Sequence, residues 1–100
     1  MTFLSKISTR TGVAAALLAG SVMTASAFTA CQVTDTGGID DAGFNQTAWK
    51  GVQDAMAADD AIEGRFLESQ AETDYEANLN SLIEGGCDII VTVGFLMGDA

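Results

Sequence analysis

The spacing of apolar positions changes repeatedly along this chain, and each change marks a new element. Phe28 to Thr34 (FTACQVT) is rich in β-forming residues and stops at Asp35-Thr36-Gly37-Gly38, a turn signal, so it predicts a short first strand. Over residues 44 to 58 the period lengthens: Phe44, Ala48, Trp49, Val52, Ala55 and Met56 fall three and four apart and draw one apolar stripe along a helix. Gly51 interrupts that helix at a cost of about 1 kcal/mol relative to Ala, which suggests close packing against a strand. Gly64 to Ser69 (GRFLES) reads as a second strand, and Thr73-Asp74-Tyr75-Glu76 has the form of a capping box. Tyr75, Leu79, Leu82 and Ile83 line a second helix closed by Gly85-Gly86. Cys87 to Val93 (CDIIVTV) is a continuous β-branched run, as in a strand buried on both faces.

Strand, helix, strand, helix, strand with short links predicts an α/β fold with a parallel sheet built from right-handed crossovers. If the first strand lies between the other two, the helices cover opposite faces. The turns after the first and third strands, Asp35 to Gly43 and Gly94 to Ala100, then flank the switch point where open α/β sheets bind ligands.

The residues ahead of the first strand belong to a different class. Met1 to Arg10 carry Lys6 and Arg10 and no acid, Thr11 to Thr24 are mostly small and apolar, and Ala25-Ser26-Ala27 has the A-x-A form of a cleavage site. This predicts a signal peptide over residues 1–27, with an apolar run too short and too interrupted for a retained membrane span. The remainder holds all 14 acids but only Lys50 and Arg65 as cations. That field repels phosphate backbones and anionic lipid, which argues against nucleic-acid or membrane-surface partners. A mature length near 70 residues is short for a sheet that needs cover on both faces, so residues 28–100 read as a partial lobe whose remainder follows Ala100.

The densest chemistry lies in Asp35-Thr36-Gly37-Gly38-Ile39-Asp40-Asp41-Ala42-Gly43-Phe44-Asn45. Its glycines permit close backbone approach to a ligand, and the start of the first helix adds unpaired N–H groups. Asp35 can accept hydrogen bonds from a neutral ligand, and Phe44 can offer a stacking face. Asp41 is a ligand-contact candidate as well; the plainer reading makes Asp40 or Asp41 a helix cap and Phe44 the first core residue of its helix, and periodicity alone favours the latter for Phe44. The glycine spacing is not G-x-G-x-x-G, the acids do not follow the calcium-loop spacing, and the sequence has no His, so no dinucleotide, metal or Cys/His nucleophile site is expected in this stretch.

The runs TDTGGIDDAGFNQTAWKG and GGCDIIVTVGFLMGDA closely resemble the basic membrane protein (BMP) family of ABC-transporter substrate-binding lipoproteins, the purine-nucleoside-receptor group of type I periplasmic binding proteins. The resemblance covers Phe28 to Ala100. It implies two lobes closing on a purine nucleoside, an ABC permease as membrane partner, and neither cofactor nor catalysis. It also implies that Phe44 stacks on the base, that Asp35 and Asn45 make polar contacts, and that Gly94, Phe95 and Met97 line the same cleft. An exported α/β enzyme, or a sensory module of the same fold with its decisive residues beyond Ala100, is the alternative.

One departure concerns the anchor. Phe28-Thr29-Ala30-Cys31 has Phe where a lipobox has Leu, and lipidation of Cys31 would place the anchor inside the first strand, so a soluble exported protein is expected. Cys31 and Cys87 form a disulfide candidate in an oxidising compartment. Strands aligned at Asp35 and Gly94 leave them three residues out of register, about 10 Å apart at strand rise, which favours two separate buried thiols.

Overall fold

A computed structural model of the chain describes residues 27–100; the expected signal segment lies outside the described residues but for Ala27. Strand β1 (Phe28–Val33) is followed by helix α1 (Phe44–Ala58), strand β2 (Ile62–Leu67), a short 3-10 turn (Glu72–Asp74), helix α2 (Tyr75–Glu84), strand β3 (Ile89–Thr92) and a closing 3-10 segment (Phe95–Asp99). The strands form a parallel sheet in the order β2-β1-β3, with Val33 opposite both Leu67 and Thr92. The expected α/β topology and the central place of β1 are both present.

Alternation along β1 sends its side chains to two different layers. Cys31 and Val33 enter a cluster with Tyr75 and Leu82 of α2 and with Met97, against which Leu67, Leu79, Cys87 and Ile90 pack. On the other face α1 lies against β2, where Trp49 meets Phe66 edge-on at 4.9 Å between ring centroids. The close approach is provided by Gly64 rather than Gly51. A Cβ on Gly64 would come within 2.7 Å of Val52 Cγ1, whereas nothing lies within 4 Å of one on Gly51.

Four local expectations give way to the structure. The second strand spans Ile62–Leu67, two residues earlier than the pattern suggested, because Ile62 and Glu63 pair with Phe28 and Thr29. The entry to α2 is tied by Asp74, whose Oδ2 accepts from the amides of Gln70 and Ala71; Thr73 and Glu76 do not form the expected box. Ile83 is 61% exposed, and β3 is an edge strand whose Ile89 and Val91 are also exposed, so it is not covered on both faces among the described residues.

The cysteines are joined. Asp35 and Gly94 do align, since Val33 pairs with Thr92, but the extrapolated spacing fails because β3 begins only at Ile89. The chain bends at Gly86, where φ is +87°, and Asp88 is held beside Thr29 by Asp88 N–H to Thr29 O (2.9 Å) and Thr29 N–H to Asp88 Oδ2 (2.7 Å). Cys31 and Cys87 are thereby brought to a Cα separation of 6.1 Å and bonded through sulfur, within ordinary reach for a bridge.

Candidate functional site

The loop from β1 to α1 is built around two carboxylates and one amide. Immediately after β1, Asp35 Oδ1 accepts from Gly37 N–H at 2.9 Å, and Asp35 O accepts from Gly38 N–H at 3.2 Å, which folds the chain back sharply. Gly38 has φ +76°, and a Cβ there would stand 2.9 Å from Glu68 Oε2, the same oxygen that accepts from Ile39 N–H at 2.7 Å. Glu68, just past β2, thus straps the loop from the side.

Asp41 turns the chain into the helix. Its Oδ1 accepts from the amides of Gly43 (2.8 Å) and Gln46 (3.0 Å), and its Oδ2 from Asn45 N–H (3.1 Å) and the Asn45 side-chain amide (3.0 Å). Partial desolvation acts to raise the Asp41 pKa, but these donors outweigh it and hold the carboxyl below its ordinary value. Ala42 takes the left-handed conformation, φ 55°, that this tight entry requires. The first-turn amides of Asn45 and Gln46 are therefore spent on Asp41, not left open for a ligand as expected from the sequence.

Asn45 connects the two acids. It is 1% exposed, and its Nδ2 donates to Asp35 Oδ1 at 2.7 Å as well as to Asp41 Oδ2. Its backbone carbonyl accepts from Gln32 Nε2 at 2.9 Å, which ties the helix start to β1. Asn45 Oδ1 and Gln32 Oε1 are both buried and accept nothing from the described residues.

In front of this network lies an open pocket of about 530 Å³ lined by Asp35, Phe44, Thr92, Val93, Gly94 and Phe95. It sits at the carboxyl ends of β1 and β3, where the topology predicted a ligand. Phe44 is 85% exposed and Phe95 fully exposed. Gly94, φ +131°, lies so near Asp35 that a Cβ would meet Asp35 Oδ2 at 2.8 Å, and no described residue donates to that oxygen.

Asp35, Phe44, Gly94 and Phe95 are thus gathered at one pocket, with Asn45 and Asp41 behind its wall. Met97 departs from expectation: at 3% exposure it packs with Cys31, Val33, Tyr75 and Leu82, because the 3-10 turn after Phe95 carries it under the sheet. Thr92 and Val93 were not singled out as lining residues. Their position follows from the Asp35 and Gly94 alignment, which brings the last residues of β3 to the same edge. Gln32 and Glu68, the other residues missed, carry no local sequence signal, since a polar residue in a strand does not announce its partner.

Among the described residues no helix is long and apolar enough to cross a membrane, and no three metal-ligating side chains converge.

Residues 28–100 match the family model described as Bmp, ABC transporter substrate-binding protein PnrA-like. The chain is 43% identical over 77 residues to a CD4+ T-cell-stimulating antigen of Listeria monocytogenes, covering 73% of this chain and 22% of that protein. It is 34% identical over 71 residues to an ABC transporter nucleoside-binding protein, BmpA, of Lactococcus lactis, covering 68% of this chain and 20% of that protein. The chain therefore spans about a fifth of the length of these relatives.

Proposed function

This chain belongs to the Bmp family of PnrA-like ABC transporter substrate-binding proteins, and from that membership we propose that its full-length protein captures a purine nucleoside and delivers it to an ABC permease. Residues 28–100 form the opening part of the first of two lobes, and residues 1–27 are a signal peptide that directs export. The nucleoside base lies against Phe44. Asp35 Oδ2 accepts from a ligand N–H or O–H, and Gly94 and Phe95 close the near side.

The observation that carries this reading is the exposed Phe44 ring, lining one pocket with Asp35 at the carboxyl edge of the sheet. An aromatic left in water next to a carboxylate suits a flat, apolar ring that also carries polar hydrogen. The Lactococcus relative is named as a nucleoside-binding protein, which supports the same reading. Carboxylate, amide and aromatic groups bind and orient, so no covalent step is assigned to the protein. Export as a soluble protein is supported by the Cys31 sulfur, which is buried in β1 and bonded to Cys87 and so is not free to carry a lipid thioether.

Thermal melts of the full-length protein with adenosine, guanosine, inosine, free ribose and a panel of amino acids test the reading. A ligand that binds only the native state raises Tm by mass action. The nucleosides are expected to do so, ribose and amino acids not. A Tm that responds to amino acids and not to nucleosides overturns the assignment.

A further inference from the structure

We infer that Asp41 is a positioning residue for ligand recognition, which acts by fixing the Asn45 carboxamide so that Asp35 keeps one carboxylate oxygen turned to the pocket. The inference rests on the nucleoside-binding reading for its ligand and on the hydrogen bonds of the β1 to α1 loop for its mechanism.

A helix cap needs only one acceptor oxygen. Asp41 supplies it with Oδ1, which accepts from Gly43 and Gln46. Its second oxygen does more than cap, because Oδ2 accepts from Asn45 N–H and also takes one hydrogen of the Asn45 side-chain amide, while Asp35 Oδ1 takes the other. A primary amide has two hydrogens, and both go to carboxylates. The carboxamide can have only this orientation, since a flip would set its oxygen against two acids.

That orientation leaves Asn45 Oδ1 buried without a protein donor among the described residues. A buried unpaired acceptor carries a desolvation penalty, which the two charge-assisted bonds from the amide hydrogens to Asp35 and Asp41 offset. The result at the pocket is definite. Asp35 Oδ1 is saturated by Gly37 N–H and Asn45 Nδ2, so the carboxylate cannot rotate freely and its Oδ2 stays against Gly94 at the pocket wall. The Asp41, Asn45, Asp35 chain thus presents the ligand with an acceptor in a fixed place, without ordering cost on binding. Asp41 itself is not among the residues that line the pocket.

Two substitutions separate cap from positioner. Asp41→Ser keeps a capping oxygen and removes the contact to the Asn45 amide. Asp41→Asn keeps the cap and places an NH2 group where the Asn45 NH2 points, so that two donors collide. Asp74→Ser, at the start of α2, serves as a control that loosens a helix entry far from the pocket. The full-length proteins are titrated with adenosine, guanosine and inosine, and the Asn45 side-chain NH2 signals are followed by NMR for hydrogen exchange.

In both Asp41 variants the Asn45 NH2 is expected to lose exchange protection and nucleoside affinity to fall about tenfold, Asp41→Asn the more, while Asp74→Ser binds as wild type. Lost protection with unchanged affinity overturns the inference and leaves Asp41 a cap alone. If the wild-type protein binds no nucleoside, the proposed function fails separately, and the positioning is decided by the amide: protection retained in Asp41→Ser overturns it, protection lost upholds it.

Discussion

Phe44 shares its three- and four-residue spacing with Ala48, Trp49 and Val52, yet its ring stands in water. Periodicity gives a side chain's direction around the helix axis; it does not say whether the sheet extends beneath it. Helix α1 starts beyond the end of β1, so its first apolar residue meets the open pocket at the strand ends, beside Thr92 and Val93, instead of the face of the sheet. The stacking role proposed for Phe44 comes only from the family resemblance. Asp41 was legible as a cap from its position, but its hold on Asn45 was not, because the amide's two partners are ten and four residues away on a folded loop.

Two outcomes belong to this scale. The Asp41 pKa is depressed in the folded protein, so its ionised form contributes stability above the unfolded value of about 3.9, and that contribution is lost as pH falls through the folded value. Acid unfolding followed by circular dichroism is therefore expected to show a shallower decline below about pH 4 in Asp41→Ser than in wild type. Gly94→Ala should weaken nucleoside binding more than it lowers Tm. The added methyl displaces Asp35 Oδ2 at the pocket wall and strains a backbone at φ +131°, and equal affinity in the variant would show that Asp35 does not face the ligand.

At the level of elements, α1 was read from its stripe to the residue, whereas β2 and β3 were each read imprecisely. A fifteen-residue amphipathic period leaves little choice of ends. Strands of six and four residues carry too few positions to set their own boundaries, and pairing with β1 decides them instead. The glycine that allows close packing was assigned to the helix, but it lies on the strand: Gly64 faces Val52 and Met56, while Gly51 faces open space. Overpacking of this kind costs about 1–3 kcal/mol. Gly64→Ala is expected to destabilise by that amount in urea unfolding, and Gly51→Ala to stabilise through helix propensity. A reversed order would contradict the packing described for α1 and β2.

Across the whole described fold, the topology was readable because each element type alternates with the other and the connections are short, which leaves few parallel arrangements. The bridge was not. Its geometry depends on the bend at Gly86 and Asp88, where the chain leaves the extended path assumed by counting residues along a strand. Cys31 and Cys87 lie 56 residues apart in sequence, and closing a loop of that size contributes about 2–4 kcal/mol through the unfolded chain. Non-reducing peptide mapping of the secreted protein should find the two cysteines in one linked pair of peptides, and reduction should lower the unfolding midpoint. Recovery of Cys31 in a lipid-modified peptide would contradict both the bridge and the soluble form.

In the proposed function, the pocket at the sheet edge captures an uncharged, flat ligand by stacking on Phe44. Calorimetric titration of adenosine, guanosine and inosine into the full-length protein, wild type and Phe44→Ala, measures that most directly. Base stacking on an aromatic side chain contributes about 1–3 kcal/mol. The expected result is saturable one-to-one binding of at least one nucleoside, weakened about tenfold or more in Phe44→Ala. No binding by the wild type, or equal affinity in the two proteins, would contradict the account.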